Sequence, residues 1–220
     1  MDEHIKLETQ PNNSNFWKGL LFFIPTGVLC TIAGYINGTY VMSNNEYYLL
    51  MYPQLNEEQV ASLNQTPIWL NCIAPIITNL FFVFVVSLVV FIGYYLTTKV
   101  KFGTIFKCTA LSQTVFAIMY IAYYTLIGLY KFPDCLAELS IMPLSLASFF
   151  DVCRLDMWMI PPLSYVNVFE IAYMALLAYL LSKNVKQQYK ESLKMVLYTY
   201  GLMLLLIVVC VSAGSVYMTE

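Results

Sequence analysis

The sequence predicts an all-α membrane protein built as one bundle of five transmembrane helices. Its 220 residues are 60% hydrophobic and only 11% charged, whereas a soluble domain carries roughly 25% charged residues. Five long apolar runs are each able to cross the hydrocarbon core of a bilayer as a helix. The basic residues fall on alternate sides of these runs, which is the pattern of a chain threaded repeatedly through a membrane.

The apolar runs place a single membrane domain at 16–217, after a short cytoplasmic tail at 1–15. The tail is polar and has no basic start, and no small-residue cleavage pattern follows the first run. We therefore expect the first run to be a retained span and not a signal peptide. The predicted spans are 16–37, 68–96, 108–130, 164–181 and 195–217.

The basic residues also predict how the chain is oriented, because lysine and arginine accumulate in cytoplasmic loops. Of the 11 lysines and arginines, only Lys131 and Arg154 fall on the opposite side of the predicted spans. This distribution predicts a cytoplasmic N-terminus and an external C-terminus. The residues on the cytoplasmic side are Lys6, Lys18, Lys99, Lys101, Lys107, Lys183, Lys186, Lys190 and Lys194.

Two of the predicted external connections have features of their own. The loop from Thr39 to Pro67 lacks basic residues, and its segment 56–59 resembles a capped helix start with acidic residues near the positive end of the dipole. We expect a short external helix there, between spans one and two. The stretch 131–162 has too many charges and prolines for an ordinary span. Its apolar part, Ile141–Phe150, either lies along the outer interface or enters as a re-entrant turn, and we predict an interfacial lid between spans three and four.

The residues that usually carry enzymatic chemistry are largely missing from the sequence. Its single histidine is His4, in the tail, which excludes histidine relays and multi-histidine metal sites. No glycine-rich phosphate loop and no hydrolase or metalloprotease motif occurs. We expect a protein that is not an enzyme and that has no cofactor and no metal. A net charge of −2 gives no basic surface for nucleic acid.

Glu170 is the only carboxylate inside a predicted span, where an ionisable group is costly unless it is paired, neutralised or hydrated. One interpretation is a proton or cation site that lines a polar cavity, with Asn167, Asn71 and Asn79 as candidate partners. The other places Glu170 near the outer end of span four, where it reaches the headgroups or forms a hydrogen bond within the bundle. The amides, Gln113 among them, are typical of hydrogen bonds between helices. Both interpretations stay open.

The cysteines are spaced too widely to form a metal motif. Cys135 and Cys153 share the predicted external loop and are candidates for a disulfide if that compartment is oxidising. Cys30, Cys108 and Cys210 fall in or beside spans, where cysteine behaves as a small apolar residue.

Span four opens on Asn167-Val168-Phe169-Glu170-Ile171, and a basic loop then leads to the last span. This arrangement resembles the C-terminal half of Yip1-domain membrane proteins, in which an Asn-Pro-Phe-Asp/Glu-aliphatic stretch opens the fourth of five helices. Val168 stands in place of the proline, and Ala172 in place of a common tryptophan. The short tail is similar to that of bacterial members. The resemblance implies the bacterial cytoplasmic (inner) membrane and an acidic residue close to the start of helix four.

Two functions are compatible with these observations. The resemblance implies a non-enzymatic protein that associates with other membrane proteins, with itself or with lipids, in membrane organisation or a trafficking-like role. The alternative is a transporter or channel for a small solute, an ion or protons that uses Glu170 and the amides of span two. Pro25 and Pro75, which interrupt spans one and two, favour that alternative because transporters use broken helices beside buried polar groups.

Overall fold

The computed structural model describes residues 19–44, 67–98, 100–129, 133–139 and 141–217, together with isolated positions between 49 and 59. These residues are mostly helical, with no strand among them, and they include five helices long and apolar enough to cross a membrane. The predicted five-helix membrane fold is thereby confirmed. The predicted cytoplasmic tail, and most of the predicted external helix, lie outside the described residues. Spans one to five are Gly19–Val41, Ile68–Thr97, Phe102–Leu129, Val168–Val185 and Tyr189–Val216.

Three of these spans contain local irregularities. Span one ends in a π-helical turn, span three is divided at Gln113, and span five has a π-helical turn in its middle. Shorter helical elements fill the connection between spans three and four. Span one consists of Ile24–Ile36 and Asn37–Val41, and span three of Phe102–Ser112 and Thr114–Leu129. Span five consists of Tyr189–Val196, Leu197–Gly201 and Leu202–Tyr217. The connection between spans three and four contains Leu136–Leu139, Leu146–Phe149, Val152–Arg154 and Ile160–Tyr165.

Spans three, four and five do not begin where the sequence predicts. Span three begins at Phe102 and not at 108, because its helix accommodates Lys107: the Lys107 Nζ atom lies 4.1 Å from the centroid of the Phe22 ring, a cation–π contact. Span four begins at Val168 and not at 164, after a separate short helix. Span five begins at Tyr189 and not at 195, since its first two turns continue without a break into the apolar part. A basic side chain near a span end therefore does not mark the end of the helix.

Span three lies at the centre of the bundle and packs against spans one, two and four. Span five packs through its first half against spans two and four, while its second half contacts the short helix Ile160–Tyr165. Because lipid is as apolar as these side chains, close packing and hydrogen bonds hold such helices together. The main core consists of residues from spans two to five, with Val86, Val90, Tyr94, Ile105, Tyr173, Leu177, Leu181, Val196 and Tyr200 among its members.

Glycines allow two especially close helix contacts. Gly34 and Gly38 of span one face Asn71 of span two, and a Cβ atom added at Gly34 would collide with the Asn71 backbone. Gly93 of span two faces the methyl group of Thr199 in the π-helical turn of span five, where an added Cβ would also collide. Small residues at such crossings let helix backbones approach closely in a membrane.

The two ends of the bundle differ in chemistry. The basic end carries the connections 98–101 and 186–188, together with the described lysines Lys101, Lys183, Lys186, Lys190 and Lys194. The loop end carries the segment 133–167. Within that segment the sulfur atoms of Cys135 and Cys153 lie 2.07 Å apart in a disulfide. The disulfide links the helix Leu136–Leu139 to the turn Val152–Arg154.

Candidate functional site

The start of span four supplies hydrogen-bond partners for its own backbone. The Glu170 amide donates to Asn167 Oδ1 over 2.7 Å, which makes Asn167 the N-cap. The Val168 amide donates to the Leu144 carbonyl over 3.3 Å. Leu144 has φ 55°, an uncommon conformation for a residue other than glycine. Two of the amides that every helix start leaves without intrahelical partners are thus satisfied within the protein.

The loop that ends at this cap is anchored on both sides. The Leu146 amide donates to the Val166 carbonyl over 3.0 Å, and the Met142 amide donates to Ser164 Oγ over 2.9 Å. Tyr123 of span three donates its hydroxyl to the Leu139 carbonyl over 2.9 Å. Span four therefore begins at a point where the backbone is already packed against the neighbouring spans.

Glu170 is buried, with 4% of its surface exposed, and its Oε2 atom accepts a hydrogen bond from the Tyr200 hydroxyl over 2.9 Å. Tyr200 lies 11 residues after the start of span five and six residues after Lys194, the last basic residue of that span. The carboxyl group therefore lies inside the helix bundle, where a charge is costly unless it is paired, neutralised or hydrated.

Aromatic side chains hold Tyr200 in place. The centroid of the Tyr173 ring lies 5.0 Å from that of Tyr200 and 4.9 Å from that of Phe116, within the range of favourable aromatic pairs. These rings belong to spans three, four and five, and Tyr173 of span four contacts both of the others.

An amide pair lies close to the carboxyl group. Gln113 Nε2 donates to Asn79 Oδ1 over 2.9 Å, and Asn79 Nδ2 donates to the Pro75 carbonyl over 2.9 Å. Because the Asn79 nitrogen is engaged by a carbonyl, its oxygen faces Gln113 and receives the Gln113 nitrogen. The remaining atom, Gln113 Oε1, has no hydrogen-bond partner among the described residues, although Gln113 is only 3% exposed.

Glu170 and the amide pair line one cavity of about 180 Å³, the glutamate cavity. Neighbouring cavities of about 370 Å³ and 260 Å³ also have Tyr120 in their walls, so this residue stands where all three meet. Tyr165, just before span four, lines the glutamate cavity too. Burial raises the pKa of its phenol, and the Glu170 carboxylate raises it further. The residues of the glutamate cavity that matter below are Asn79, Gln113, Phe116, Tyr120, Tyr165 and Glu170.

The structure brings together some of the predicted site residues and separates others. Glu170 and Asn79 line the same cavity, whereas Asn167 serves as the helix cap beside it. Asn71 lines the neighbouring cavity of about 370 Å³. Sequence reasoning missed Tyr200 and Tyr120. A tyrosine in the middle of a long apolar run was the available signal for Tyr120, whereas Tyr200 lies only six residues after Lys194 and carried no such signal.

The five apolar helices define an integral, multi-pass membrane protein, and this one contains a largely apolar cavity that a buried glutamate lines. Among the described residues, no three histidine, cysteine, aspartate or glutamate side chains are grouped as metal ligands would be. No family model, no curated protein and no solved structure matches the chain.

Proposed function

We propose that this chain is a non-enzymatic membrane protein of Yip1 type that acts by associating with other membrane proteins, with a second copy or with lipids. On this proposal it resides in a bacterial cytoplasmic membrane with its N-terminus inside. The start of span four supports the Yip1 resemblance. Asn167 caps that helix and Glu170 occupies its first turn, as the resemblance leads us to expect.

The association role depends on the surface of span five. Only 11% of the apolar stretch of span five is buried inside the protein, and this is the lowest share of the five spans. Its outward residues are large and aliphatic, so they offer a long surface for another helix or for lipid. They include Leu202, Leu205, Leu206 and Val209.

Site-specific photo-crosslinking in native membranes tests this role. A photoreactive amino acid at Leu206 of span five should give a reproducible protein adduct, identified by mass spectrometry. The matched control carries the photoreactive amino acid at Ile77, which is exposed on span two. It should give fewer protein adducts. Adducts with lipid alone at both positions would rule out a protein partner on span five.

A second candidate function is a transporter or channel for a small solute, an ion or protons. The observation that favours it is the position of Glu170, a buried carboxyl group that lines the glutamate cavity. From this cavity, Tyr120 leads to a cavity of about 260 Å³ that reaches Pro143 at the loop end. The π-helical turn that carries Tyr200 is a further irregularity of the kind that accompanies functional sites.

Flux measurements on purified protein in liposomes test this second function. Wild-type protein should conduct, and Glu170→Gln should reduce the flux by about tenfold or more, since the carboxylate is the ionisable group in the cavity. Glu191→Gln, at the basic end of span five, is the control and should keep the flux. A wild-type protein without flux of protons, ions or small solutes would overturn the transport proposal.

A further inference from the structure

Two hydrogen-bond acceptors beside the glutamate cavity lack donors among the described residues. Gln113 Oε1 has no partner, but the surrounding side chains shield it from the open space. Glu170 uses one oxygen, Oε2, to accept from Tyr200, and no partner is recorded for the other among the described residues. A buried acceptor that has no hydrogen bond costs about 1–3 kcal/mol, and a charged acceptor costs more. A molecule bound in this cavity would therefore be a hydrogen-bond donor.

The charge of the cavity has one sign. None of the described residues that line it is basic. The nearest basic side chain of span three, Lys107, lies against the Phe22 ring. A buried carboxyl group is stabilised by protonation or by an opposite charge. The described residues that line the cavity supply no opposite charge, so a cationic ligand would stabilise the charged form of Glu170.

The walls and the volume of the cavity indicate an organic cation. Phe82, Phe116, Tyr120 and Tyr165 all line it, and aromatic faces attract ammonium groups. Its volume of about 180 Å³ is several times the share of about 30 Å³ that one water molecule takes in the liquid. A bare metal ion would leave most of this space empty.

We propose that the glutamate cavity binds a small organic ammonium compound, whose N–H groups donate to Glu170 while its carbon atoms contact the aromatic side chains. This inference deepens the transport proposal for the same cavity and rests on it. It names the class of solute.

Binding can be measured by isothermal titration calorimetry on the full chain in nanodiscs of zwitterionic lipid, with n-butylammonium as the probe. Wild-type protein should bind the probe saturably. The matched neutral compound, 1-butanol, should not bind saturably, and tetramethylammonium, which has the charge but no N–H donor, should bind more weakly. Glu170→Gln should weaken the binding of n-butylammonium by about tenfold or more. Glu191→Gln should leave the binding affinity unchanged.

Tyr120→Leu is the second variant, because it removes an aromatic face of the cavity and leaves Glu170 and its bond to Tyr200 in place. This variant should also weaken the binding of the probe, so the test does not depend on whether Glu170→Gln folds. Absence of saturable binding to the wild type, equal binding of 1-butanol, or full affinity in both variants would overturn the inference. Saturable binding without flux would leave the ligand class standing and reject transport. Flux without binding of n-butylammonium would support transport and reject this class of ligand.

Discussion

Tyr200 donates its hydroxyl hydrogen to Glu170 Oε2 over 2.9 Å, and this hydrogen bond joins span four to span five. Both side chains are buried. Hydrogen bonds between membrane helices contribute about 0.6 kcal/mol on average and up to about 1.7 kcal/mol. We expect this one near the upper value, because its acceptor is a carboxyl group.

Tyr200→Phe should therefore reduce the free energy of unfolding by about 1–2 kcal/mol. A double-mutant cycle with Glu170→Gln, measured by denaturant unfolding in detergent micelles, isolates the coupling between the two side chains. Tyr198→Phe is the matched control: Tyr198 lies in the same turn but is 75% exposed, and its hydroxyl should contribute little. A loss as large for Tyr198 as for Tyr200 would contradict the assignment.

Asn167→Ala should reduce the free energy of unfolding by about 1 kcal/mol, because the variant loses the acceptor that caps span four. Asn167→Asp keeps an oxygen at the same place and should retain most of the stability. Asn184→Ala, near the opposite end of the same helix, is the comparison. Unfolding of the three variants in detergent gives the order, and equal values for Asn167→Ala and Asn167→Asp would speak against the cap.

Gly34→Leu should destabilise the bundle strongly, since the new side chain would push span one away from the Asn71 backbone. We expect a loss of about 1–3 kcal/mol or a failure to assemble. Gly214→Leu makes the same change on span five, where nothing lies within 4 Å of an added Cβ. Thermal unfolding followed by size-exclusion chromatography compares the two. Similar losses at both positions would argue against the close contact of spans one and two.

Cys135 and Cys153 should resist alkylation until the protein is reduced. Among the described residues, Cys30, Cys72, Cys108 and Cys210 are free thiols. Mass spectrometry of the denatured protein should therefore show two additional alkyl groups after reduction. Replacing both bonded cysteines by serine should cost about 3 kcal/mol, the loop-closure value for a separation of this length. Labelling of either residue without reduction would disprove the bond in the native protein.

The charge distribution predicts that the two termini face opposite compartments, with the N-terminus in the cytoplasm. Reporter tags fused to each end of the chain should differ in accessibility when intact cells are probed from outside. Only the C-terminal tag should react. Equal accessibility of the two tags from one side would reject the predicted threading.

The five spans were predictable because hydrophobic length is a local property of the sequence. The starts of spans three and four were not, since they depend on tertiary contacts: Lys107 rests on an aromatic ring of another span, and the loop residue Leu144 supplies an acceptor to span four. The pairing of Glu170 with Tyr200 depends on how two helices are rotated about their axes. An almost uniformly apolar helix leaves that rotation unmarked in the sequence.

The bond between Glu170 and Tyr200 also has a consequence for biogenesis. A nascent chain that has been made only as far as Val185 contains Glu170 but not yet the hydroxyl that satisfies it. The unfinished intermediate therefore leaves the Glu170 carboxyl group without this donor until the last helix arrives. Membrane proteases and chaperones that recognise misplaced polar groups would thus have a chemical mark that distinguishes incomplete copies from finished ones.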